Sequence, residues 1–340
     1  MEALKRLLFK LTKLNMSIFD ERKNPKPYEY PQVIELMEKL NHTFWLHSEL
    51  TFNADKSDFL SLEPHEQQVI RRSLCAISTI EIKAVKDFWA KLGEHFPKPE
   101  IAMLGMTAAE SECRHFFGYS EILTLLDLEQ DFINCLEVPA LKGRFEYLQK
   151  YLNLSPQNSN NKKYITKLIL FSVLIENVSL FSQFATVMYF YRHKGIMKDI
   201  RNIVKWSAID EQLHFNIGAT IVDILRKEHP ELFDEELNEI IKKACIKSIK
   251  YESDILDWVF EKGELEHLSK EDLLNYMEYR VNESMKTMGF EEPFEKGKDL
   301  SKTDFFFEEV FADSQDDFFV LRPVDYTLGD KSITEDDLFD

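Results

Sequence analysis

The stretch that decides the fold is Ala108-Ala109-Glu110-Ser111-Glu112-Cys113-Arg114-His115-Phe116-Phe117-Gly118-Tyr119-Ser120-Glu121-Ile122-Leu123-Thr124-Leu125-Leu126. At about 3.6 residues per turn, Glu112, His115 and Tyr119 stack along one face of a helix. Ala108, Ile122 and Leu126 continue the same stripe, so a carboxylate, an imidazole and a phenol point where a core is expected. An ionised carboxylate in a core is costly unless something pairs with it. An inward Glu-x-x-His is a spacing with which helix bundles hold a metal.

Working outward, three more apolar stripes each carry an acid. A helix opened by Pro64 and running to about Leu92 has Ile70, Leu74, Ile77, Glu81, Ala84 and Phe88 on one face. A strongly apolar helix from Tyr164 to about Arg192 places Glu176 in line with Ile165, Ile169, Val173, Leu180, Phe184 and Val187. After Gly195, a helix from about Ile196 to Lys227 carries Ile200, Val204, Ser207, Glu211, His214, Gly218, Ile221 and Leu225, a second inward Glu-x-x-His. One Glu from each of two helices and Glu-x-x-His from each of two others is the ligand set of a two-metal carboxylate site. The expected metal ligands are therefore Glu81, Glu112, His115, Glu176, Glu211 and His214. Four carboxylates bring a formal charge of about −4, which two divalent ions offset. Oxygen-rich donors with one imidazole per metal suit iron or manganese. A third Glu-x-x-His, Glu264 with His267, lies at a polar helix end and is the one such match expected by chance. Cys113, off the stripe, reads as a packing residue. Asp210 is placed to take the outer ring N–H of a ligating His, and Tyr119, one turn beyond His115, is placed for one-electron oxidation.

The rest of the chain supports a large all-α protein. Its 340 residues include 10 Gly and 11 Pro, too few breakers for a strand-and-turn architecture. It is 44% hydrophobic and 30% charged, with 27 Phe to line a dry interior. A net charge of −18 argues against a nucleic-acid partner. Residues 291–340 hold 16 acidic against 5 basic side chains, so most of that charge sits at the C-terminus. The four cysteines form no Cys-x-x-Cys pair, which fits a reducing, cytoplasmic setting. No apolar run has the roughly 18 residues of a membrane span. Met1 to Met16 reads as a short basic amphipathic segment. Elsewhere the pattern predicts a helix over Gln32 to Leu46, an extended polar interval over Glu49 to Phe59, and an amphipathic segment over Asp131 to Leu152. A polar loop follows at Ser155 to Lys163, and two outer helices occupy about 234–262 and 269–288. Three units result: an N-terminal segment 1–24, a helical body 25–290, and a mobile acidic tail from Glu291 with no helical period.

These motifs together resemble the small (beta, or R2) subunit of class I ribonucleotide reductase, from about Asn24 to the C-terminus. The resemblance rests on Trp45 ahead of Glu49-Leu50-Thr51-Phe52, Glu81, Glu112-Cys113-Arg114-His115 with Tyr119, Glu176, and Asp210-Glu211-Gln212-Leu213-His214. The tail segment Asp317-Phe318-Phe319 through Asp325-Tyr326 adds to it. It implies a ferritin-like homodimer whose two transition-metal ions react with oxygen, or a reduced oxygen species, to leave a radical on Tyr119. It also implies that His115, Asp210, Trp45 and Tyr326 carry the oxidising equivalent to a large catalytic subunit that reduces ribonucleotides. Thr334 to Asp340 matches the place where family members dock on that subunit. Whether a flavoprotein activase is a further partner is left open, as is the choice among iron, manganese or one of each. The sequence departs from the family at Glu81, where many relatives have Asp, at Phe116 and Phe117, and at Leu180. A dimetal oxygenase acting on an organic substrate, an R2-like ligand-binding oxidase, or a metal-storage protein would use similar helices. The oxygenase and the oxidase need no relay tyrosine or docking tail, and the metal-storage protein should accumulate many metals per chain.

Overall fold

The computed structural model describes residues 17–81, 86–152 and 161–316. Fourteen helices account for most of these residues: α1 (Pro31–His42), α2 (Asp55–Ser61), α3 (Pro64–Glu81), α4 (Lys86–Ala90), α5 (Leu92–His95), α6 (Pro99–Leu125), α7 (Glu129–Cys135), α8 (Pro139–Leu152), α9 (Lys162–Val178), α10 (Phe181–Lys194), α11 (Lys198–Glu228), α12 (Glu235–Val259), α13 (Lys270–Thr287) and α14 (Asp304–Asp316). Among the described residues the only β pairing is an isolated bridge between Leu265 and Leu268. The all-α, ferritin-like expectation therefore holds.

Local chemistry sets the ends of these helices. Pro99 opens α6 at a position where a missing N–H costs nothing. Gly195, at φ 67°, closes α10 in the left-handed region. The Asp234 side chain caps α12, and Ser269 with Asp272 forms a reciprocal capping box on α13. The long helices close a ring in which α3 packs on α6, α6 on α11, α11 on α9 and α10, and α10 back on α3. Their shared interior is the core, and it is there that the acids and imidazoles of the stripes meet.

Several expectations are corrected. The apolar run from Tyr164 to Arg192 is two helices, α9 and α10, with a break at Ser179 and Leu180. No proline or glycine marks this break. Buried guanidinium groups take the freed carbonyls instead: Arg280 Nε donates to Asn177 O at 2.6 Å and Arg144 Nη1 to Ser179 O at 3.0 Å. Glu176 thus sits in the last turn of α9. The segment Asp131 to Leu152 divides into α7 and α8 before Pro139. The interval Glu49 to Phe59, expected to be extended, contains most of α2, and α1 stops at His42 short of Phe44 and Trp45. Residues 304–316, read as part of a tail without helical period, form α14. Phe306 and Val310 of α14 are buried, with the Phe306 ring 5.9 Å from Phe181 and 6.0 Å from Tyr276. Arg201 Nη2 holds α14 through Glu309 at 2.7 Å. Cys113, expected to pack, is exposed. The segment Met1 to Met16, Tyr326 and Thr334 to Asp340 lie outside the described residues.

Candidate metal centre

The ring of helices brings all six expected side chains to one buried place. One oxygen or nitrogen from each of Glu81, Glu112, His115 and Glu211 lies within 4.8 Å of the others. The same is true of Glu112, Glu176, Glu211 and His214. Glu112 and Glu211 belong to both groups, as bridging carboxylates between two ions would. All six residues are at most 4% exposed.

The two imidazoles are oriented alike. His115 Nδ1 faces inward, 3.2 Å from Glu81 Oε2 and 3.2 Å from Glu211 Oε1. His214 Nδ1 faces inward too, 3.0 Å from Glu112 Oε1 and 3.5 Å from Glu176 Oε2. Their outer nitrogens are fixed by other groups. Asp210 Oδ2 lies 3.3 Å from His115 Nε2, and Ser111 Oγ lies 2.7 Å from His214 Nε2. Such outer partners set the tautomer and ring angle of a ligating histidine. Glu176 is held the same way, its Oε1 accepting from Trp89 Nε1 at 2.9 Å.

The donor set fits a pair of metal ions. Despite their closeness, Glu81 Oε1, Glu112 Oε1, Glu211 Oε2 and His214 Nδ1 are buried without a hydrogen-bond partner. Buried polar atoms are ordinarily satisfied, so this cluster of inward-facing orphans is the signature expected of ligand atoms aimed at common points. Hard carboxylates with imidazole and no thiolate favour iron or manganese over softer ions.

Without metal, protons must do the neutralising. Burial pushes the Glu176 carboxyl well above the usual carboxylate range, and the charge of Glu211 adds to this. Burial likewise raises Glu81. For His115, burial pulls the imidazole down, but Glu81, Asp210 and Glu211 outweigh it and hold it well above its ordinary value. His214 is raised against its burial by Glu112, Glu176 and Glu211. All four folded-state values lie above the unfolded ones, so the folded metal-free protein binds more protons than the unfolded chain. Their stabilisation is full below the unfolded values and is lost as pH rises through the folded ones. The metal-free protein is thus expected to unfold more readily as pH climbs above the ordinary imidazole value of about 6.5, by about 1.4 kcal/mol per pH unit for each excess proton. Chelator-treated protein melted across this range checks it; a flat or rising melting temperature would contradict it. Loading with manganese should reverse the trend, because metal and protons compete for the same atoms.

Tyr119 lies on the same face of α6 and is wholly buried. Its hydroxyl faces the hydroxyl of Ser207, a contact that pulls the phenol down, and neither oxygen makes a well-formed hydrogen bond to any other described group. Burial first, and then the charge of Glu81, raises the phenol well above its ordinary value, so it is neutral. On the other side of His115, Trp45 Nε1 donates to Asp210 Oδ2 at 2.9 Å, and the Trp45 ring stacks on His115 with centroids 5.9 Å apart. Burial raises Asp210, but its contacts with His115 and then Arg114 prevail and keep it below the usual range. Gly118 leaves room for this arrangement, since a Cβ there would meet the Trp45 ring at 3.4 Å and Ile203 at 3.2 Å.

Thr43, Trp89, Ser111 and Arg114 were not anticipated. Thr43 Oγ1 donates to Asp210 Oδ1 at 3.0 Å, and Arg114 Nη2 lies 3.7 Å from Asp210 Oδ2. The sequence carried little signal for them. Trp89 reaches Glu176 from 87 residues away, and Thr43 reaches Asp210 from 167. The Glu264 and His267 pair stays at the surface, with His267 beside Glu266.

Comparison with known proteins points the same way. The sequence matches the family model described as ribonucleotide reductase, small chain, over residues 22–300. A chain named as a ribonucleoside-diphosphate reductase small subunit in Invertebrate iridescent virus 3 is 25% identical over 345 residues, spanning 94% of this chain and 88% of the relative. An Escherichia coli ribonucleoside-diphosphate reductase 1 subunit beta is 23% identical over 325 residues, spanning 86% and 84%. Among solved structures, a ribonucleotide reductase R2 subunit from Clostridium botulinum shares the fold with a TM-score of 0.74 at 17% identity, covering 87% of this chain and 94% of that one.

Proposed function

The chain belongs to the ribonucleotide reductase small-chain family, and on that premise we propose that it is the radical-holding subunit of a class I enzyme that reduces ribonucleoside diphosphates. The observation that carries the reading is a buried, neutral Tyr119 phenol, with only the Ser207 hydroxyl beside its oxygen, on the same helix face as two of six converging carboxylate and imidazole side chains. Glu81, Glu112, His115, Glu176, Glu211 and His214 would hold the ions. Iron or manganese held there supplies the one-electron oxidising power, drawn from oxygen or a reduced oxygen species.

The chain's own residues do the rest. Tyr119 is held as a neutral phenol, since burial disfavours every charged state of the ring. The dry wall around it keeps water and reductants from the resulting radical. His115, Asp210 and Trp45 form a continuous hydrogen-bonded line leading away from the centre, along which electron and proton can be exchanged with the large subunit. Tyr326 extends that line across the subunit boundary, and Thr334 to Asp340 dock on the large subunit, with the small subunit acting as a homodimer.

The test is reconstitution. Full-length protein loaded with iron or manganese in air, mixed with its cognate large chain and a dithiol, is expected to form deoxyribonucleoside diphosphates and to bind a pair of ions per chain. Truncation before Tyr326 should abolish turnover and leave metal content unchanged. Oxygen consumption on an organic substrate without deoxyribonucleotide formation, or uptake of many ions per chain, would refute the assignment.

A further inference from the structure

The line from His115 through Asp210 ends at Trp45, and Trp45 is itself buried, only 2% exposed. A residue so enclosed is a poor terminal for exchange with anything outside the fold. Another indole lies directly beside it. The rings of Trp45 and Trp206 have centroids 5.5 Å apart at an angle of 36°. Trp206 is on α11, four residues before Asp210, so its side chain and the Asp210 carboxylate share a face of that helix. Unlike Trp45, Trp206 is only partly buried. From the centre outward the rings run His115, Trp45, Trp206, with the first pair 5.9 Å apart and stacked at 15°.

Arg114 adds a direction to this row. Its guanidinium is buried at 4% exposure, lies 4.7 Å from the Phe44 ring centroid and 5.9 Å from that of Trp45, and approaches Asp210. A cation over an indole face is attracted to the intact ring and opposes positive charge on the same ring. It therefore disfavours leaving an oxidising equivalent on Trp45.

We propose that Trp206 is the surface outlet of the redox line, exchanging single electrons between buried Trp45 and a reagent or partner outside the protein. The step balances simply. Trp45, as its one-electron-oxidised indole cation, takes one electron from Trp206 and returns to the neutral indole. Trp206 is oxidised by one electron and releases its own indole proton to water. This role rests on the reading of Tyr119 and Trp45 as parts of a radical line, and it extends that line to the surface. A packing role alone would require only that an aromatic or large apolar side chain fill the space beside Trp45.

The two roles separate in metal-free, full-length protein. Photogenerated tris(bipyridine)ruthenium(III) oxidises tryptophan from outside, and transient absorption follows the radicals formed. The portion of the signal that disappears in Trp45→Phe is the Trp45 radical. Trp206→Phe is expected to slow the appearance of that portion by an order of magnitude or more. Trp206→Tyr, which restores an oxidisable ring in the same space, is expected to recover most of the rate. A Trp45 radical that forms at the wild-type rate in Trp206→Phe, or that never forms in the wild type, overturns the proposal. In metal-loaded protein the matching readout is reductive loss of the Tyr119 radical to ascorbate, followed by electron paramagnetic resonance. It should be slowed in Trp206→Phe and restored in Trp206→Tyr. A loaded wild type with no radical at Tyr119 overturns the assignment of Tyr119, while the metal-free transfer rate still decides the role of Trp206.

Discussion

A Tyr119→Phe protein is expected to fold, to load metal like the wild type, and to show no tyrosyl radical in electron paramagnetic resonance. Ribonucleotide reduction with the large subunit should fall by about 10³-fold or more, as when one obligatory member of a functional unit is removed. The stability change should go the other way. The Tyr119 hydroxyl is buried with only the Ser207 hydroxyl beside it, so removing it forfeits no more than one weak contact, relieves the cost of burying a polar group and creates a cavity no larger than one oxygen atom. The Phe variant should therefore melt at the same temperature as the wild type or higher. That combination is informative because a tyrosine kept for structure would lose stability when its hydroxyl is removed. A hydroxyl retained at a cost, next to groups that can hold an oxidising metal pair, is retained for its chemistry. A variant that keeps the wild-type radical, or that loses activity only by unfolding, would contradict the assignment.

The second large effect is expected at Glu112. Its carboxylate contributes to both four-residue groups, so Glu112→Ala leaves each with three protein ligands and removes one of the two shared bridges. Bound iron or manganese should drop from a pair per chain to less than a single ion. Affinity should fall by more than the roughly 10- to 100-fold typical of losing an outer partner of a ligand. Glu81→Ala, which touches only one group, should spare one ion. Glu121→Ala, on the exposed side of the same helix, should spare both. Metal analysis after gel filtration separates the three cases. Equal loss in Glu81→Ala and Glu112→Ala would mean that the two groups do not act as neighbouring sites with shared carboxylates. The gel-filtration profile also reports whether each variant is folded.

How much of this centre could be read from the chain follows from the range of each interaction. Glu112 with His115, and Glu211 with His214, are three apart on single helices, and the period of an α-helix alone puts each pair on one face. Glu81 and Glu176 were legible because each occupies an apolar stripe where an unpaired acid would be penalised. The bend that places Glu176 at a helix end was not legible, because it is made by Arg144 and Arg280 from other helices rather than by a local breaker. Helix α14 was missed for a related reason. Its Phe306 finds its core on α10 and α13, and so short a segment has too few turns for its period to stand out from the surrounding acids.

By itself, then, the sequence determined that this protein is helical, that four stripes carry acids and imidazoles inward, and that a phenol sits one turn from them. Helical periodicity is local and needs no knowledge of neighbours. Only the tertiary structure decided that the stripes face one another, that Glu112 and Glu211 belong to both groups, and that Trp89 and Ser111 hold outer atoms of Glu176 and His214. It alone set Trp206 beside Trp45. Those relations join residues separated by tens to more than a hundred positions, and they exist only once long helices have packed in one particular order.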